Sequence, residues 1–116
     1  MTETQPRTFA PAEAHAVAPR FAEYTDRLLF GEVWQRPGLS PRDKSMLTCA
    51  ALIALNRAPY LRFHAARALD NGLTPRELGA IVTQLAIYCG WPMATAAVME
   101  IAPVYAERGI SAADVA

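Results

Sequence analysis

Between Leu47 and Pro92 the chain reads LTCAALIALNRAPYLRFHAARALDNGLTPRELGAIVTQLAIYCGWP, two almost wholly apolar runs of helical spacing with one histidine, His64, between them. Helix start and stop signals punctuate these runs, and no stretch anywhere alternates apolar and polar residues as a half-buried strand does. The chain is therefore read as all-α, a bundle of about five to six helices. With 116 residues, 53% of them hydrophobic, it has material for one core but is small enough that self-association would relieve a marginal stability.

The boundaries follow from local chemistry. Residues 1–18 are polar and proline-bearing and read as a flexible arm, leaving 19–116 as the helical domain. A first helix spans about Pro19 to Phe30, with Phe21, Tyr24 and Leu28 on one stripe. The loop Gly31 to Leu39 holds Val33 and Trp34, too apolar for water, so it is expected to pack down on the body or on a neighbouring subunit. Ser40-Pro41-Arg42-Asp43 is a helix start, with a capping serine, proline in the first turn and an acid near the positive end of the dipole. The helix it opens, to about Asn56, is apolar nearly all round over Met46 to Leu55, the pattern of a central helix buried on most sides. Pro59 opens the next helix and Asn71-Gly72 closes it. Thr74 to Glu77 is a capping box, followed by Leu78, Ile81, Val82, Leu85 and Tyr88 on one face. The last long helix, about Pro92 to Glu107, contains Pro103, where a kink is expected, and Ser111 can begin a short final turn.

Charge and cysteine content exclude several functions. Eleven basic residues balance eleven acidic ones, which gives no positive field for nucleic acid or anionic membrane. The N-terminal segment has no apolar run of signal-peptide length, and no later segment is long enough to span a bilayer, so a soluble cytoplasmic protein is expected. Cys49 and Cys89 stand far apart with no cysteine or histidine at metal-ligand spacing, which sets structural zinc aside and argues against a disulfide. Cys49, inside the apolar helix, reads as a small buried hydrophobe. Cys89, at a helix end, is expected nearer the surface, where the negative end of the dipole does not favour a thiolate.

His64 shares a stripe with Leu61 and Ala68 and should point inward, with Tyr60 one turn before it and Arg67 three residues after. Burial beside cations would keep it neutral near pH 7 and able to exchange a proton, although an inward histidine is also an ordinary core residue. Gln84 and Tyr88, four residues apart, either offer hydrogen bonds to a ligand or satisfy backbone groups within the bundle. Trp34 and Trp91 read as packing or interface residues, and His15, in the arm, as inert.

Three segments in order, VWQRPGLSPRDKSMLTCAALIALNR, LRFHAARALDNGLTPREL and QLAIYCGWPMATAA, resemble the carboxymuconolactone decarboxylase family of the AhpD-like superfamily, in particular its small gamma-carboxymuconolactone decarboxylases, over about Phe21 to Tyr105. The resemblance implies an AhpD-like helical bundle that assembles as a homo-oligomer, a trimer or hexamer. It also implies cofactor-free decarboxylation of a small lactone carboxylate in aromatic-compound catabolism. The family's histidine falls on His64, which the resemblance makes the acid or oxyanion donor. Arg57 or Arg67 would then anchor carboxylate, with Gln84 and Tyr88 lining the pocket. Thiol peroxidases of the same superfamily carry a Cys-x-x-Cys pair four residues before the histidine and a glutamate on the preceding helix. Here Arg57 and Tyr60 stand in the cysteine places and Ser45 about where the glutamate would be, so the resemblance favours the decarboxylase branch over a thiol redox protein; a non-catalytic helical assembly is the other alternative reading.

Overall fold

A computed structural model describes residues 8–116, which divide into two compact units, one ending at Leu39 and one spanning Ser40–Ala116. The division falls at Leu39, whereas the sequence pattern places a boundary near residue 18. Of the expected arm, residues 1–7 lie outside the described residues.

In the first unit α1 (Ala12–Val17) is followed by α2 (Pro19–Tyr24), which runs on as a π-helical turn over Thr25–Phe30. The chain before α1 is tied down by Asp26. Its carboxylate accepts from the backbone N–H groups of Phe9 at 2.6 Å and Ala10 at 3.0 Å and from the Thr8 hydroxyl at 2.8 Å. Donors aimed at a carboxylate favour its charged form, so Asp26 titrates below the usual range, with the Phe9 N–H the largest cause. Phe30 stacks on Phe9 with ring centroids 4.3 Å apart and on Trp34 at 6.1 Å, which buries the tryptophan of the Val33–Gln35 3-10 turn. Val33 beside it stays exposed. The stripe of Phe21, Tyr24 and Leu28, whose spacing suggests a core face, is exposed in this chain. Helical period marks a face that needs covering and does not say whether the same chain covers it.

The second unit holds α3 (Pro41–Ala54), a 3-10 turn (Ala58–Tyr60), α4 (Leu61–Asp70), α5 (Pro75–Cys89), α6 (Trp91–Glu107) and α7 (Ala112–Val115). The expected caps form. Ser40 Oγ accepts from the Asp43 N–H, and Thr74 and Glu77 make both halves of their capping box. At the end of α4, Gly72 takes φ +108, while its N–H and that of Leu73 turn back to the carbonyls of Leu69 and Ala68. Gly90, at φ +116 and ψ 150, occupies a region closed to side-chain-bearing residues and is the single residue between the end of α5 and the start of α6. The helix α6 continues through Pro103, where a kink is expected from sequence.

Helix α4 packs on α3 and α6, and α5 packs on the same two helices. Cys49, Ile53, Leu61, Ala65, Ala68, Leu73, Leu78, Ala97 and Ile101 form the core. Helix α3 is less enclosed than its composition suggests, because Leu47 on its outer face and Leu55, the residue just past its end, remain 54% and 67% exposed. Two links tie the ends together. The Tyr105 hydroxyl donates to the Pro75 carbonyl at 2.9 Å, and Arg108 donates to Asp70 at 2.8 Å and to the Ala66 carbonyl at 3.2 Å. Among the described residues there are helices and no strands, and no helix is long and apolar enough to cross a membrane.

Candidate functional site around His64

Helix α4 presents its buried stripe, Leu61, Ala65 and Ala68, to the core, and His64 lies on the flank of that stripe, half-buried. Its inward nitrogen, Nδ1, is withdrawn from solvent, and the Phe63 ring meets the imidazole edge-on at 4.9 Å. Burial penalises the imidazolium and is the larger cause of a lowered pKa; the Arg67 guanidinium, one turn on, pushes in the same direction. His64 is therefore a neutral imidazole at pH 7, able to donate a hydrogen bond from one nitrogen and accept one at the other. Arg67 is half-buried, with its Nε withdrawn from solvent.

The seat of His64 is fixed from α3. Cys49, fully buried, faces the His64 carbonyl with Sγ at 3.6 Å, and burial pushes its thiol up to about 11, so it stays protonated and donates. Ser45, also fully buried, accepts from the Asn71 side chain at 2.9 Å, which ties the end of α4 to the same face of α3. The turn into α4 is set by Asn56 at φ 56 and by the Arg57 N–H, which returns to the Leu52 carbonyl at 2.7 Å.

The residues singled out by sequence fall into two groups. His64 and Arg67 are neighbours on α4. Arg57, ahead of the 3-10 turn, and Tyr60, at its end, have exposed side chains. Gln84 belongs elsewhere. It lines a cleft of about 390 Å³ between α3 and α5 together with Arg42, Met46, Ala50, Leu73, Glu77, Ala80, Ile81 and Leu85, a set that does not include His64. Tyr88, one turn beyond Gln84, projects into solvent at 78% exposure, and Cys89 is half-buried. Sequence reading does not bring out the ion pair at one end of this cleft, where Arg42 donates to Glu77 and, at 3.2 Å, to Asp43. Arg42 and Glu77 stand 35 residues apart, and each belongs to a helix-start motif that accounts for it locally. No group of three or more His, Cys, Asp or Glu side chains among the described residues is placed to hold a metal ion.

A half-buried, neutral histidine beside an arginine on an all-α scaffold defines a candidate site for proton and anion chemistry. Residues 19–102 match the carboxymuconolactone decarboxylase family, and the chain belongs to that family. Among its relatives is the 4-carboxymuconolactone decarboxylase of Acinetobacter baylyi, 36% identical over 91 residues that cover 78% of this chain and 68% of that protein. A nitrosuccinic acid decarboxylase of Metarhizium robertsii is 40% identical over 63 residues, 54% of this chain and 44% of that protein. An uncharacterized 15.0 kDa protein of Paracoccus denitrificans is 28% identical over 111 residues, covering 88% and 83% of the two chains.

Proposed function

We propose that this chain is a carboxy-lyase that removes carbon dioxide from a small lactone carboxylate of aromatic-compound catabolism, with His64 as the group that meets the developing charge. The observation that carries this reading is the seat of His64, a neutral imidazole beside the Arg67 guanidinium, within the part of the chain that matches the family. Two relatives named as decarboxylases of different small acids support the reaction class more strongly than any one substrate.

When the bond to the carboxylate breaks, its electron pair flows into the lactone and gathers on the carbonyl oxygen as an enolate-like oxyanion, and a proton delivered by His64 or by water then adds to carbon. The substrate's own carbonyl is the electron sink, so the chemistry requires no cofactor. His64 donates a hydrogen bond to that oxygen, an interaction that strengthens as charge develops and so lowers the barrier. Arg67 holds a carboxylate with its planar fork, and Arg57, on the exposed approach to α4, is the second candidate anchor. A thiol mechanism fits less well, because Cys49 is held as the protonated thiol and the positions four and seven residues before His64 are Tyr60 and Arg57. We take the working form to be a homo-oligomer in the cytoplasm, in line with the size of the domain and the family resemblance.

The test is turnover of 4-carboxymuconolactone, followed by carbon dioxide release, for the wild type and for His64→Ala and His64→Gln variants with unchanged circular dichroism. Losing the donor should lower kcat by about 10²- to 10³-fold. A folded His64→Ala protein with the wild-type rate sinks the assignment of His64, and a wild type that turns over no lactone carboxylate sinks the reaction.

A further inference from the structure

We propose that the cleft between α3 and α5 is a second small-molecule site, separate from His64, which takes a single-ring apolar compound with a hydrogen-bond-donating head, an amine or a phenol, and discriminates against carboxylates. The proposal does not rest on the decarboxylase reading. At about 390 Å³ the cleft falls within the range of ligand pockets and has their usual build, apolar walls with a few polar groups. Met46 and Ala50 from α3 face Ile81 and Leu85 from α5, so the middle offers no hydrogen bond and suits an aromatic ring.

The two ends differ, and the difference selects the ligand. Glu77 and Gln84 lie seven residues apart on α5, roughly 10 Å along the helix axis, so a compound lying in the cleft can reach polar groups at both ends. At the Glu77 end the Arg42 guanidinium is shared between two carboxylates, those of Asp43 and Glu77. That leaves one negative charge in excess. The Glu77 carboxylate is kept ionised, chiefly by the Thr74 N–H; Oε1 accepts from that N–H and Oε2 from Arg42, and the lone pairs of a carboxylate allow it to accept from a further donor. A donor head completes this set, whereas a carboxylate placed there meets that of Glu77 beside an arginine already shared with Asp43. The exposed Gln84 amide both donates and accepts, and so accommodates either kind of polar group at the far end.

The experiment follows the methyl resonances of Met46, Ile81 and Leu85 in the full chain during titration with benzylamine, phenol and benzoate. Benzylamine and phenol should give saturable shifts confined to the cleft, with benzoate at least tenfold weaker. Two variants separate the causes. Ala80→Phe adds a ring at an exposed position of the lining and should abolish the response to all three compounds. Glu77→Gln still accepts from the Thr74 N–H, removes the excess negative charge and should cut the preference for benzylamine over benzoate at least tenfold. Benzoate binding as tightly as benzylamine, or an unchanged preference in Glu77→Gln, overturns the proposal. So do methyl shifts that follow protein concentration alone with no response to any compound, a result that assigns the cleft to a second copy of the chain.

Discussion

Replacing Leu61 with alanine probes the joint that carries His64. Leu61 opens α4 one turn before the histidine and is fully buried in the core cluster, much of which is alanine: Ala58, Ala65, Ala68 and Ala97. Short side chains cannot swing into a vacated space, so the cavity should persist and the cost should fall in the upper half of the 2–5 kcal/mol range, about 4 kcal/mol. Unfolding entropy of about 2.1 cal/mol/K per residue gives about 0.24 kcal/mol/K for a chain of 116 residues, so each kcal/mol moves the midpoint by about 4 °C. The Leu61→Ala midpoint should therefore drop by about 16 °C. Leu55→Ala, at a 67% exposed residue just past the end of α3, should cost under about 0.5 kcal/mol, or about 2 °C. Both are read by circular dichroism melting at matched protein concentration, because self-association also shifts the midpoint. Equal shifts for the two variants, or a drop below about 4 °C for Leu61→Ala, would refute the placement of the core between α3, α4 and α6.

Three further outcomes are expected. Folded His64 binds its proton less tightly than unfolded His64, so its contribution to stability is complete well above pH 6.5 and declines as the pH falls through the ordinary histidine range. Melting midpoints between pH 7 and 5 should thus fall more steeply for the wild type than for His64→Gln, and Arg67→Ala should lessen the slope only in part, since burial is the larger cause; parallel curves for all three proteins would contradict this. Thr74→Ala removes the hydroxyl that accepts from the Glu77 N–H at 3.1 Å and should cost about 1 kcal/mol, roughly 4 °C, while Thr74→Ser should melt near the wild type. Iodoacetamide at pH 8 should leave Cys49 unmodified in the native protein and alkylate it after unfolding, as followed by mass spectrometry, because the thiol is buried and titrates near 11.

The helical class, the starts at Ser40 and Thr74 and the stop at Gly72 are determined by sequence alone, because each depends on groups close together along the chain, within five residues at the caps and the stop. The inward turn of His64 is legible for the same reason, since helical period places it beside Leu61 and Ala68. What lies across from a helix is set by packing, which no local period encodes. Tertiary structure decides that Leu47, Leu55 and the Phe21 stripe stay exposed in one chain, that Gln84 faces a cleft His64 does not line, and that Arg42 reaches Glu77 across 35 residues. Each of these joins groups distant in sequence, and the free energy that settles them comes from burial and charge pairing between helices.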